Sequence, residues 1–227
     1  MITRKIGGAV SEVSESAAAV SEVPTKIFVP GVGGIVPHCL RNLLGISNIT
    51  SIYPEVEGGI SPSERPKLVL QYIKNADLVM CHSEGFARVI YAFHYMITKE
   101  GIGAVGDWFN DIFPKVLIII SPYFSFYRND ATEGILDEDM GKKNIYISPE
   151  RMTQIMTQLR TANTEILLYR LSGDFAGSMA GGISRNTDMK TFEGIASFKD
   201  YPSVPHDICD GESMHVESLL GDIWEQL

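Results

Sequence analysis

The chain has 227 residues, 44% of them hydrophobic and 9% aromatic, which is enough apolar material for one substantial core, so a single domain is expected. A formal net charge of -9 argues against nucleic acid and against anionic membrane surfaces as main partners. No apolar run reaches the length of a membrane span. Arg4 and Lys5 are not followed by the apolar segment of a secretory signal. The cysteines Cys39, Cys81 and Cys209 have no close metal-ligand spacing, and an odd count without a signal segment reads as reduced thiols in a cytoplasmic compartment.

Residues 1–23 are small, acidic and weakly repetitive, as in Ser14-Glu15-Ser16-Ala17-Ala18-Ala19, and read as a flexible leader or linker. The ordered pattern starts at Pro24 and runs to residue 227. Lys26–Pro30 is a short buried strand leading into Gly31-Val32-Gly33-Gly34, and a second strand is expected at Ile49–Tyr53. Pro66–Lys74 reads as a helix and Leu78–Met80 as the third strand. Val116-Leu117-Ile118-Ile119-Ile120 has no alternation, as expected of a parallel strand covered on both faces. Ser148-Pro149-Glu150 opens a helix with a serine cap and proline at its first position, and Met152, Ile155, Met156 and Leu159 mark its buried face. Glu165–Leu171 is the fifth strand, a weaker sixth lies near Phe192–Phe198, and Val216–Gln226 is the last helix. Strands alternating with helices predict an α/β fold with a mainly parallel central sheet flanked by helices.

The segment Asp77–Ile90 contains a strand, a sharp turn with Ser83, and the start of a helix whose apolar positions Phe86, Val89, Ile90, Phe93 and Ile97 fall on one face. Such a strand–turn–helix lifts a serine hydroxyl clear of its own backbone, the arrangement of a nucleophile elbow. Cys81 stands where the first glycine of G-x-S-x-G is usual, and it reads as a small packing residue. A nucleophilic serine needs a base, an acid to orient the base, and backbone donors for the acyl oxygen. Among histidines late in the chain, His215 stands in a polar turn leading into the final helix and is favoured as the base over His206, which lies in an earlier loop. His38, His82 and His94 are less apt. Asp174, three residues past the fifth strand, is the favoured acid over Asp130 and Asp188. For the oxyanion hole, the N–H of Glu84 and that of Val32 are the expected donors, with Gly33 next, because glycines let a backbone approach a ligand closely. The same turn fits neither G-x-G-x-x-G nor a P-loop, so a phosphate site is disfavoured.

These residues carry a resemblance. The run Ile27–Leu40, the Cys-His-Ser-Glu-Gly elbow, Asp174 after its strand and Met214-His215-Val216-Glu217-Ser218-Leu219-Leu220 resemble the α/β-hydrolase superfamily. Phe28-Val29-Pro30-Gly31-Val32-Gly33-Gly34 looks most like the thioesterase domains of fatty-acid, polyketide and nonribosomal-peptide synthases. The resemblance implies an α/β-hydrolase fold lacking its first strands, a Ser83–Asp174–His215 triad and an oxyanion hole from Val32 and Glu84. It also implies a lid at 121–148, with Gly33, Tyr123, Phe124, Phe126 and Tyr127 lining the substrate site. The implied reaction is cleavage of an acyl thioester or ester, linked to a carrier protein or to coenzyme A, with no metal or organic cofactor. A lipase or carboxylesterase on oxygen esters is one rival reading; a catalytically idle binding module on the same fold is the other.

Overall fold

The computed structural model describes residues 26–31, 34–53, 65–73, 76–83, 85–94, 113–122, 149–171, 192–206 and 208–227. In chain order these form β1 (Lys26–Val29), α1 (His38–Ile46), β2 (Thr50–Ser51), α2 (Arg65–Ile73), β3 (Leu78–His82), α3 (85–94), β4 (Val116–Ile120), α4 (Pro149–Thr161), β5 (Glu165–Leu171) and β6 (Ser197–Tyr201). A short 3-10 turn, Ile208–Asp210, precedes α5 (Ser213–Trp224). The six strands make one all-parallel sheet in the order β2-β1-β3-β4-β5-β6.

The unalternating apolar strands are explained by cover on both faces. Leu117 and Ile119 of β4 enter one layer of the core with residues of α2, α3 and α4. Ile118 and Ile120 enter the other layer, with Leu40 and Leu44 of α1 and Val216, Leu219 and Ile223 of α5. Met152, Ile155, Met156 and Leu159 of α4 are all fully buried, on the stripe their spacing predicts. Each gains about 2 kcal/mol on burial, several times the worth of a surface ion pair, so the stripe sets how α4 lies on the sheet.

Three elements differ from the sequence expectation. The sixth strand is Ser197–Tyr201, while Phe192, Ile195 and Ala196, which suggested it, form a turn packed on the first core layer. As the edge strand, β6 buries only Tyr201, so it carries no apolar run to read. Helix α1 had no counterpart in the sequence reading, and α5 begins three residues before Val216. The leader, 1–23, and nearly all of the expected lid, 123–148, lie outside the described residues. No helix among the described residues is long and apolar enough to cross a membrane.

The strand order also fixes where a ligand can enter. From β1 the chain goes outward to β2, then returns to place β3 on the other side of β1. Helix α1 leaves β1 for one face of the sheet, and α3 leaves β3 for the other. A crevice therefore opens at the carboxyl ends of β1 and β3, the switch point at which parallel sheets bind their ligands.

Candidate active site

The turn after β3 stands in that crevice. Ser83 adopts φ 55°, a left-handed conformation that serine rarely takes, and it is 5% exposed. Its N–H still donates to Ile120 O (3.1 Å), and its carbonyl accepts from the N–H of Phe86 (3.2 Å), so the ladder of β3 passes directly into α3. Gly85 makes this possible: a Cβ there would lie 2.0 Å from Val29 O and 2.7 Å from Pro30 O. Gly31 packs on the other side, where a Cβ would stand 2.9 Å from Ser83 Cβ and 3.3 Å from its Oγ. The glycine turn after β1 is thus in contact with the serine.

His206 is the histidine that meets the serine. It follows β6 by five residues, past a turn closed by Val204 N–H to Tyr201 O (3.2 Å). Its Nε2 is 2.9 Å from Ser83 Oγ and its Nδ1 is 2.9 Å from Ser121 Oγ. The Nε2–H of His82 donates to the His206 carbonyl (3.1 Å), and the two rings lie 5.1 Å apart. His82 is the residue before the serine, so β3 itself holds the loop that carries His206.

The structure does not bring His215, the histidine expected as the base, to Ser83. His215 lies inside the first turn of α5, with its Nε2 3.7 Å from Glu212 Oε2, and it takes no part in the contacts of Ser83. The physical reason is the early start of α5, which turns the expected loop histidine into a helix residue. A signal for His206 existed: it is the first histidine after the expected sixth strand near Phe192–Phe198, as it is after β6.

Ser121 was not singled out in the sequence. It occupies the position after β4 that Ser83 occupies after β3, also with positive φ (45°), and it is 1% exposed. Its N–H donates to Tyr169 O of β5 (2.9 Å). Two serines in a sparsely populated backbone region, at the ends of adjacent strands and on either side of one imidazole, mark a site where strain is held by the surrounding structure. A carboxylate could only accept a hydrogen bond from Nδ1–H. A serine hydroxyl accepts or donates, so Ser121 is compatible with either histidine tautomer.

Asp174, with its competitors Asp130 and Asp188, lies outside the described residues, as do Val32, Gly33, Glu84, Tyr123, Phe124, Phe126 and Tyr127. The strand that precedes Asp174, β5, runs beside β4 and bonds to the backbone of Ser121.

The cysteine reading changes as well. Cys39 of α1 and Cys209 of the 3-10 turn form a disulfide, with their Cα atoms 5.6 Å apart. Two of the three expected thiols are therefore paired. The bond ties the helix that follows the glycine turn to the segment just after His206. Cys81 is free and fully buried, and burial pushes its thiol well above the usual range, which fits a packing residue and not a nucleophile. Among the described residues, no group of three or more His, Cys, Asp or Glu side chains is arranged to hold a metal ion.

The chain matches no known family model, and no curated protein or solved structure matches it. The functional reading therefore rests on the geometry of the crevice.

Proposed function

We propose that this protein is a serine hydrolase of α/β-hydrolase type that cleaves an acyl thioester or ester. The observation that carries the reading is the 2.9 Å contact between His206 Nε2 and Ser83 Oγ, made on a strained strand-to-helix turn at the switch point of a parallel sheet. The sequence of β-ends supports it: nucleophile after β3, a polar partner after β4, and the base after β6.

In the proposed reaction Ser83 Oγ attacks the acyl carbonyl while His206 Nε2 takes its proton. The carbonyl oxygen becomes an oxyanion, for which the glycine turn after β1 and the amide following Ser83 are the proposed donors. The bond to the leaving sulfur or oxygen then breaks, and that atom receives the proton from Nε2. Water, deprotonated by the same nitrogen, releases the acyl group and regenerates Ser83. While the imidazolium exists, its Nδ1–H donates to Ser121 Oγ. Asp174 remains the proposed carboxylate of the site, reached from the end of β5.

Labelling with a fluorophosphonate probe tests the reading: wild type should label, and Ser83→Ala and His206→Ala should not. A wild type that takes no label overturns it. A panel of acyl thioesters and p-nitrophenyl esters then separates the thioesterase, suggested by the resemblance of Phe28–Gly34, from a lipase or carboxylesterase. A cytoplasmic location loses its support from cysteine usage, because Cys39 and Cys209 are paired.

A further inference from the structure

We infer that Arg88 is a positioning residue for the oxyanion side of the site, an inference that rests on the hydrolase reading above. Arg88 is on α3, five residues after Ser83, and is only 6% exposed. A buried guanidinium is costly unless its donors are used. Its Nη1 donates to Pro30 O (3.0 Å) and, at longer range, to Gly31 O (3.4 Å). Its guanidinium carbon also sits 5.0 Å from the centre of the Tyr53 ring.

Those partners all belong to, or brace, the turn that follows β1. Gly31 O also accepts from Gly34 N–H (3.2 Å), closing the turn. Gly34 has φ +70°, and a Cβ there would stand 2.5 Å from the Tyr53 ring, so the ring that Arg88 stacks on also backs the far end of the turn. One side chain thus grips the turn at its first carbonyls and, through Tyr53, at its last residue.

The consequence follows from the planar trans peptide. A carbonyl and the amide N–H of the same peptide unit point to opposite edges of one plane. Holding the carbonyl of Pro30 toward α3 therefore fixes the direction of the Gly31 amide on the opposite edge of that unit. Gly31 is also the residue through which the turn touches Ser83. Arginine suits this task better than lysine, because Nη1 reaches both carbonyls while the planar guanidinium also lies over an aromatic ring. The nucleophile and the oxyanion donors are thereby set relative to each other through a single helix, α3, which begins at the elbow.

The test compares wild type, Arg88→Gln and Arg88→Lys, each scored for folding by thermal melting. The readouts are fluorophosphonate labelling rate, kcat and KM on the best p-nitrophenyl ester, and inhibition by a trifluoromethyl ketone carrying the same acyl chain. Folded Arg88→Gln should lose about 10- to 100-fold in kcat with KM nearly unchanged, the size expected when reacting groups are misplaced by a fraction of a bond length. Trifluoromethyl ketone affinity should fall by the same factor as kcat/KM, since its hemiketal places an oxyanion where the substrate does, and Arg88→Lys should recover part of both. The inference is overturned if folded Arg88→Gln keeps kcat and ketone affinity, or if KM rises with kcat unchanged. It is also overturned if both variants fail to fold, which would make Arg88 a residue of the fold alone. A wild type that neither labels nor turns over substrate is a different result: it sinks the hydrolase reading on which the inference stands.

Discussion

The crevice at the ends of β1, β3 and β4 and the outer edge at β6 are both rich in polar contacts, yet they are held in different ways. In the crevice Ser83 and Ser121 are 5% and 1% exposed, both have positive φ, and both touch one imidazole. At the edge, Arg170 pairs with Asp200 through two 2.6 Å hydrogen bonds, and Asp222 of α5 accepts from the buried Tyr201 and pairs with Lys199, the charged partners keeping substantial solvent contact. The edge ion pairs stand in solvent, where water can replace either partner; the crevice contacts are held by strained backbone and close packing. Polar contacts of similar length should thus differ widely in what their loss does.

The largest expected effect is on activity. His206→Ala should lower turnover at least about a thousandfold, as removal of a general base working with a serine does, while His215→Ala should leave it within about twofold. Ester hydrolysis by the two variants reads this directly, and equal losses would erase the distinction between crevice and surface histidines. Next comes Gly85→Ala. With backbone oxygen only 2.0 Å from the added carbon, β1 and α3 must separate, and we expect a loss of about 3 kcal/mol or more in denaturant unfolding.

Removing the Cys39–Cys209 disulfide with Cys39→Ser and Cys209→Ser should cost about 3 kcal/mol, the middle of the usual range for a native cross-link. Urea unfolding with and without reductant gives the comparison; wild type should fall to the variant's stability only when reduced. Ser121→Ala should reduce kcat about tenfold, the effect of one neutral hydrogen bond to the imidazolium, and leave KM unchanged. A loss of a thousandfold would show that Ser121 has taken over the full role of the orienting acid.

The smallest effect belongs to the edge. The Tyr201 hydroxyl, followed by Lys199, holds the Asp222 carboxyl below its ordinary value against the opposing effect of burial. A carboxyl lowered in the folded state contributes stability above the unfolded value of 3.8, and that contribution is lost as pH falls through the folded value. Asp222→Asn should therefore be less stable than wild type by under about 1 kcal/mol at neutral pH, the scale of a solvent-exposed pair. The difference should vanish in strong acid. Thermal melts across that range check both sign and size.

How far the site could be read from the chain depends on the range of the contacts involved. Ser83 was legible because an elbow is local: the strand, turn and helix that strain it lie within Leu78–Phe93. The glycine turn after β1 was legible for the same reason. His206 and His215 could not be separated locally, since each sits in a polar stretch near Pro, Asp or Glu. What separates them is the end of an edge strand with one buried residue and the first turn of a helix whose preceding Glu212 makes no side-chain cap hydrogen bond. Ser121 gave no sign at all, as a serine after a strand is unremarkable until its φ and its neighbour are known. The disulfide was hidden by the 170 residues between its partners.

By itself, then, the sequence determined the α/β class, the parallel sheet and the position of the strained serine. These follow from periodicity and turn chemistry within a few residues, where each side chain's options are few. Only the tertiary structure decided which histidine meets that serine, that a second serine lies on the ring's other side, and that Cys39 and Cys209 tie α1 to the 3-10 turn after His206. Those are meetings of residues far apart in the chain, fixed by the strand order β2-β1-β3-β4-β5-β6 and by the packing of α1 and α5 on one face.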